Sequence, residues 1–308
     1  MKNKSFDFVK NLPLSLIVYG IVFVLGIVFI FVNGLNLDID FKGGTRFEYS
    51  FAGEINTEDV QKTVEDILNK KATVLESSAL SGDSKKLVIS LVADESVSAE
   101  LQQKLTDSLI KEYPDNTIAF YGSNSVSGSV ASNFFLKALA AVIIVAVLVL
   151  VFVSFRFKKI GGFTAGLTAL IALILDVCVA FFACAIFKLE IDLNFMAVVL
   201  TILGYSLNDT IVIYDRIREN SAKNQKLPKS EIVNMSLSQV LRRTITTSVT
   251  TVIAVLVILV VAEFFGLSSL RSFAVPMMFG LISGSCSSIF VSAPLWVKWQ
   301  GKVKPKKR

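Results

Sequence analysis

Histidine is absent from all 308 residues. Its absence excludes Ser-His-Asp and Cys-His dyads and the commonest zinc ligand sets, and with them most hydrolase mechanisms. Cysteine is scarce: Cys178, Cys184 and Cys286 all fall in apolar runs at a spacing that matches no metal or redox motif, so they read as small buried hydrophobes. Neither a Gly-x-x-x-x-Gly-Lys-Ser/Thr loop nor a Gly-x-Gly-x-x-Gly after a strand occurs, which leaves nothing to cradle a nucleotide's phosphates. No nucleophile sits beside a plausible base, so the sequence is not read as an enzyme, and it implies no cofactor. Charge is also sparse, at 18% of residues against 53% hydrophobic. With a mean hydropathy of +0.63 the chain is too apolar for a water-soluble globule.

Long apolar runs take the place of what is missing. A helix needs about 20 apolar residues to cross a bilayer core, and six stretches qualify: one within 11–37, which carries no charge, then 138–155, 160–187, 193–214, 244–262 and 272–297. The first has no small-residue cleavage site after it and reads as an uncleaved anchor. If both termini are cytoplasmic, the cytoplasmic segments hold nineteen Lys and Arg, and the two short outer loops hold one each, Lys188 and Arg271. That bias sets the orientation. The net charge of +6 is therefore a basic membrane-facing side suited to anionic lipid heads, with no nucleic acid implied.

The division that follows is 1–37 for the N-terminus and first span, 38–137 for one extracytoplasmic domain with its neck, 138–297 for five further spans, and 298–308 for a basic cytoplasmic tail. Residues 38–137 carry 16 acidic and 10 basic residues, an ordinary soluble composition. Alternation predicts strands at 46–51, 72–78, 86–92 and 117–121, and apolar faces predict helices over 57–69 and 98–113. The order β-α-β-β-α-β is the split βαβ, or ferredoxin-like, α+β pattern. The segment 122–132, rich in Ser, Gly and Asn and containing Gly122 and Gly128, reads as a flexible neck. Gly43-Gly44 reads as a turn needing backbone freedom.

Polar residues inside the spans carry the functional expectation, because an aspartate at a span centre costs about 2.5 to 3.5 kcal/mol. Asp176 and Asp209 are the two. Each has two readings: Asp176 as a neutral acid bonded to a neighbouring helix or as part of a transport path, and Asp209 as a residue close to the surface or as an ion carrier. Arg243 either snorkels to lipid heads or pairs inward, since Arg243, Thr247, Thr250 and Thr251 share one helical face. A contact between Asp209 and Arg243 on consecutive spans is geometrically allowed. Gly280-x-x-x-Gly284, flanked by serines, permits close helix approach.

Three stretches bring a family forward: Asn36-Leu-Asp-Ile-Asp-Phe-Lys-Gly-Gly-Thr45, the run from Gly204 to Asn220 (GYSLNDTIVIYDRIREN), and Arg243-Thr-Ile-Thr-Thr-Ser-Val-Thr-Thr251. With them the chain resembles, nearly end to end, the smaller subunit of the SecD/SecF family of bacterial protein-export membrane proteins. The resemblance implies half of a resistance-nodulation-division type fold, with six transmembrane helices that pair with six from SecD and an extracytoplasmic ferredoxin-like domain. It implies that Asp209 and Arg243 are the proton-conducting pair, supported by Asp176, Asn208 and the threonines, with no metal. It also implies as partners SecD, the SecYEG channel, the translocating preprotein, YajC and membrane lipid, in the bacterial cytoplasmic membrane. Two departures stand out: Leu175 precedes Asp176 where the family often has His, and charges occupy Asp38 and Lys42 where a glycine and a small polar residue are usual.

The function expected on this basis is to promote preprotein translocation with the proton motive force, sodium being the alternative ion. Two rivals stand beside it. One is a non-conducting scaffold for SecD and the channel. The other is a small-molecule exporter of the same superfamily, which would want a second six-span repeat and a larger outer domain.

Overall fold

A computed structural model describes residues 6–78, 85–91 and 98–302. The lysines at 2 and 4, the end of the strand expected to reach 92, and the tail from 303 lie outside the described residues. Six helices are long and apolar enough to cross a membrane: α1 Leu12–Asn33, α5 Gly128–Arg156, α6 Gly162–Ile186, α7 Leu193–Lys223, α8 Lys229–Phe265, and a last span of α9 Ser268–Ser287 continued by α10 Ala293–Lys302. Between α1 and α5 stands a small body built from α2 (Ile39–Lys42), β1 (Gly44–Phe51), α3 (Thr57–Leu68), β2 (Ala72–Ser78), β3 (Lys85–Leu91), α4 (Ala99–Glu112) and β4 (Ala119–Val126).

Its four strands form one antiparallel sheet in the order β2-β3-β1-β4. Alternation in β1 sends Phe47, Tyr49 and Phe51 to one face, where they meet Leu87, Ile89 and Leu91 of β3, Val60 and Val64 of α3, and Leu105 and Leu109 of α4. Asn56 caps α3 through the backbone N–H of Glu58, and Ser98 caps α4 through that of Leu101, so both helices start at a side-chain oxygen. A bulge between Glu48 and Tyr49 lets Tyr121 stand out of register, with Lys86 over its ring.

The flexible neck expected over 122–132 is not there. Gly122 to Val126 continue β4, pairing with Gly44 to Glu48, and Gly128 already belongs to α5, so Ser127 is the one residue between strand and helix. Composition misled because the main-chain pairing to β1 does not depend on the Ser, Gly and Asn side chains. The expected boundary at 137/138 likewise falls inside α5. Outgoing and returning chain run side by side: Gly43 (φ 76°) and Gly44 (φ 140°) adopt left-handed geometry, and a Cβ on Gly43 would come within 2.7 Å of Gly128 Cα.

In the bundle α6, α7 and α9 are central, whereas α1, α5 and α8 show most of their surface outward. Small residues set that order. Ala165, Gly166, Ala169, Ala172, Ala180 and Ala183 of α6 are buried, Gly166 lies against Leu150 and Ser154 of α5, and Gly280 of α9 faces Ile202 of α7. The last span is interrupted by a π-helical segment, Ser288–Ser292. Within it Ser288 Oγ meets Thr210 Oγ1 at 2.9 Å and Ser292 Oγ meets Tyr214 OH at 3.1 Å, so the irregular turn spends its hydroxyls on α7.

Candidate functional site

Asp176 lies on the buried face of α6 with none of its surface exposed. Three hydroxyls donate to its carboxylate: Ser206 Oγ of α7 to Oδ2 at 2.7 Å, Ser287 Oγ of α9 to Oδ2 at 2.9 Å, and Ser283 Oγ of α9 to Oδ1 at 2.7 Å. Tyr19 of α1 joins the cluster through Ser283, its OH 3.1 Å from the Ser283 carbonyl oxygen. Gly284 makes room, since a Cβ there would approach Ser206 Cβ to 3.0 Å. One carboxylate thus gathers three central helices at a point where lipid could offer no donor. The serines at 283 and 287 were legible only as small residues beside a Gly-x-x-x-Gly. Ser206 was not singled out, because the phase that brings it to Asp176 depends on how α7 is rotated.

Asp209, one helical turn from Ser206 on α7, is 4% exposed. Its Oδ2 is buried and has no hydrogen-bond partner among the described residues. Arg243 of α8 is its electrostatic neighbour, yet no ion pair forms between them within 4.0 Å. Arg243, Thr246, Thr247 and Thr250 of α8 are exposed, as are Gly204 and Asn208 of α7. The threonine hydroxyls do not reach α7. Thr247 donates to the carbonyl oxygens of Arg243 (3.1 Å) and Thr244 (2.9 Å), Thr250 to those of Thr246 and Thr247, and Thr251 to that of Thr247. Asp209 therefore sits at the rim of a polar flank that the described residues leave uncovered, next to a guanidinium with no carboxylate bound among them.

A third constellation joins the sheet body to the bundle. Arg46 of β1 donates through one nitrogen to Asp38 Oδ1 and to Glu190 Oε2, each at 2.5 Å. Asp38 caps α2, and Glu190 lies in the turn between α6 and α7. Beside them the backbone of Leu37 bridges that of Ile191, with Ile191 N–H donating to Asn36 O at 2.8 Å and Asp38 N–H to Ile191 O at 3.1 Å. Burial pushes the carboxyls of Asp38 and Glu190 above their usual range, while the Arg46 charge works in the opposite sense. A cavity of about 250 Å³ opens next to the clamp, between the sheet's outer face and the turns at 187–192 and 262–272. The charge at Asp38, which stood out as a departure, thus has a partner, 8 residues on in sequence, and that partner reaches 144 residues further to Glu190.

Six apolar helices of span length, a buried carboxylate among the central three and a small mixed body at one end define a multi-pass helical membrane protein. Residues 105–302 match the family described as protein export membrane protein SecD/SecF, C-terminal, and residues 28–53 match the SecD/SecF GG motif. The chain belongs to the SecD/SecF family. It is 33% identical over 301 residues to the protein translocase subunit SecF of Alicyclobacillus acidocaldarius, covering 96% of this chain and 94% of the relative. It is also 33% identical over 311 residues to the protein translocase subunit SecDF of Bacillus subtilis, covering 97% of this chain but 39% of that one. The crystal structure of SecDF, a translocon-associated membrane protein, from Thermus thermophilus superposes with a TM-score of 0.82 at 28% identity, over 97% of this chain and 39% of that chain. A second SecDF structure, in a super-membrane-facing form, gives 0.64 at the same identity. The chain thus spans about two fifths of the SecDF relatives and nearly the whole of the SecF relative.

Proposed function

We propose that this chain is an accessory subunit of the Sec translocase, which with SecD draws on the proton motive force to promote preprotein translocation across the bacterial cytoplasmic membrane. The observation that carries the reading is Asp209: a buried carboxylate with an oxygen that has no partner among the described residues, near a guanidinium that has no ion pair among them, at the edge of a flank of exposed polar groups. SecDF relatives in which one chain carries more than twice this length make a SecD partner the natural cover for that flank. The sheet order β2-β3-β1-β4 supports a ferredoxin-like body, and the bias of Lys and Arg supports placing it outside the cytoplasm with both termini inside.

Burial and a guanidinium act on a carboxyl in opposite senses, so Asp209 has two protonation states, and each favours a different arrangement of α7 against α8 and the partner. One elementary charge crossing the membrane supplies about 2.3 kcal/mol per 100 mV, enough to shift a two-state equilibrium about fiftyfold. Movement passes to the outer body through the paired chains at Gly43, Gly44 and Gly128 and through the Arg46 clamp, a stiff connection in place of a loose neck. Held by that body, a preprotein leaving the SecYEG channel is kept from sliding back. Asp209→Asn is expected to leave insertion and assembly with SecD intact and to remove the dependence of late export on the proton gradient. Unchanged gradient-dependent export in that variant returns the chain to the scaffold reading. Repeating the assay under a sodium gradient identifies the ion.

A further inference from the structure

We propose that the end of the bundle opposite the sheet body holds a binding pocket for a phosphate ester, the head-group chemistry of an anionic phospholipid. The pocket, about 240 Å³, lies between the turn from α5 to α6, the end of α7, the start of α8 and α10, and its walls include Lys159, Gly161, Ser221, Lys229, Trp296 and Gln300. No acidic residue lines it among the described residues.

Three features favour a phosphate there. First, the charge is unspent. Of the cations nearby, Arg156 and Arg218 pair with Asp215, and Arg216 and Lys223 with Glu219, whereas the two that line the pocket, Lys159 and Lys229, have no carboxylate partner among the described residues. Lys229 is held in place by Gln300 Oε1 at 2.5 Å, with its ammonium 5.9 Å from the centre of the Trp296 ring. Gln300 is anchored in turn, donating to Ile160 O and Thr164 Oγ1 at 3.0 Å each.

Second, two long helices start at this pocket. The 25-residue α6 follows Gly161 and the 37-residue α8 follows Pro228, and neither of these residues offers a side-chain cap, so first-turn N–H groups remain to meet an anion. Third, Trp296 is 2% exposed and its indole N–H has no partner among the described residues. None of this depends on whether Asp209 conducts.

The test uses the full chain in a zwitterionic detergent, with native mass spectrometry to count retained short-chain phosphatidylglycerol or phosphatidylcholine. Wild type is expected to retain one phosphatidylglycerol at about tenfold lower lipid concentration than phosphatidylcholine, and Lys159→Gln to lose about fivefold of that preference, the worth of one lysine near an anionic head group. Lys159 is exposed and its side chain is bonded to no other group among the described residues, so the variant keeps its fold; Lys226→Gln, a lysine outside the pocket, is expected to change retention less than about twofold. Equal retention of both lipids, or equal losses from Lys159→Gln and Lys226→Gln, overturns the pocket in favour of diffuse attraction, with one exception. If inorganic phosphate alone raises the unfolding temperature of wild type and not of Lys159→Gln while the two lipids bind alike, the site stands and its occupant is soluble phosphate.

Discussion

Asp176 and Asp209 are the same side chain on adjacent helices, both withdrawn from water, and they are treated in opposite ways. Asp176 receives three hydroxyl donors from α7 and α9, and every one of them comes from this chain. Asp209 keeps a buried oxygen with no donor among the described residues and lies at the edge of a flank of exposed polar groups. A carboxylate whose hydrogen bonds are complete within its own bundle holds helices together. One whose bonds are left incomplete is poised for a partner, a proton or both. The contrast separates the two aspartates that hydropathy alone ranks together.

The largest effect that would break the contrast is loss of coupling at Asp209. Asp209→Asn is expected to abolish gradient-driven stimulation of export while leaving thermal unfolding of the purified chain almost unmoved. Asp176→Leu should do the reverse at first order. It leaves Ser206 Oγ without an acceptor and takes one from Ser283 and Ser287, which keep Tyr19 and the Gly284 carbonyl, and is expected to destabilise the bundle by about 2 kcal/mol or more, read as a lower unfolding midpoint in detergent. Asp176→Asn, which keeps one acceptor oxygen, should cost roughly half of that. If Asp176→Leu folds normally and Asp209→Asn does not, the assignment of the two residues is inverted.

The clamp between sheet body and bundle offers a third comparison, between its cation and its acids. Removing Arg46 leaves the buried Asp38 and the partly buried Glu190 without a counter-charge, so Arg46→Gln is expected to loosen the junction by about 2 kcal/mol. Glu190→Gln leaves Arg46 paired with Asp38 and should cost less than about 1 kcal/mol. Amide hydrogen exchange over residues 36–46 reads both. Because Asp38 and Glu190 titrate above their usual range in the docked state, protons bind that state more tightly than an open one. The junction is therefore expected to tighten as pH falls from neutral through the raised values, and to loosen as pH rises through them, once intrinsic exchange rates are removed. Protection that moves the other way would mean that the Arg46 pairing outweighs burial. The smallest effect belongs to the threonines: Thr247→Val with Thr250→Val removes only hydroxyls bonded to their own helix, and is expected to leave export within about twofold of wild type.

Much of this arrangement was legible before any coordinates. Apolar runs located the six spans, and β2 and both helices of the outer body lie within a residue or so of where alternation and apolar faces put them. What escaped had one physical cause, which is that it is decided by distant neighbours. β4 runs on to Val126 because β1 lies beside it, although Gly-Ser-Asn-Ser has little strand propensity of its own. The π-helical interruption at Ser288–Ser292 places its hydroxyls against Thr210 and Tyr214 of α7, a match across 78 residues of chain. The Asp176 cluster needs three helices in a particular rotation, and the Arg46 clamp spans 144 residues of chain. The chemical type of each candidate residue was readable from the sequence; whether its hydrogen bonds were already satisfied was not.

Proton movement through Asp209 is the centre of the account, and flux measured without any preprotein tests it most directly. The chain is reconstituted with a SecD partner into vesicles holding a pH-sensitive dye, and a membrane potential is imposed. The account predicts a proton flux in wild type that Asp209→Asn abolishes and Asp176→Asn largely keeps; equal flux in wild type and Asp209→Asn would contradict it.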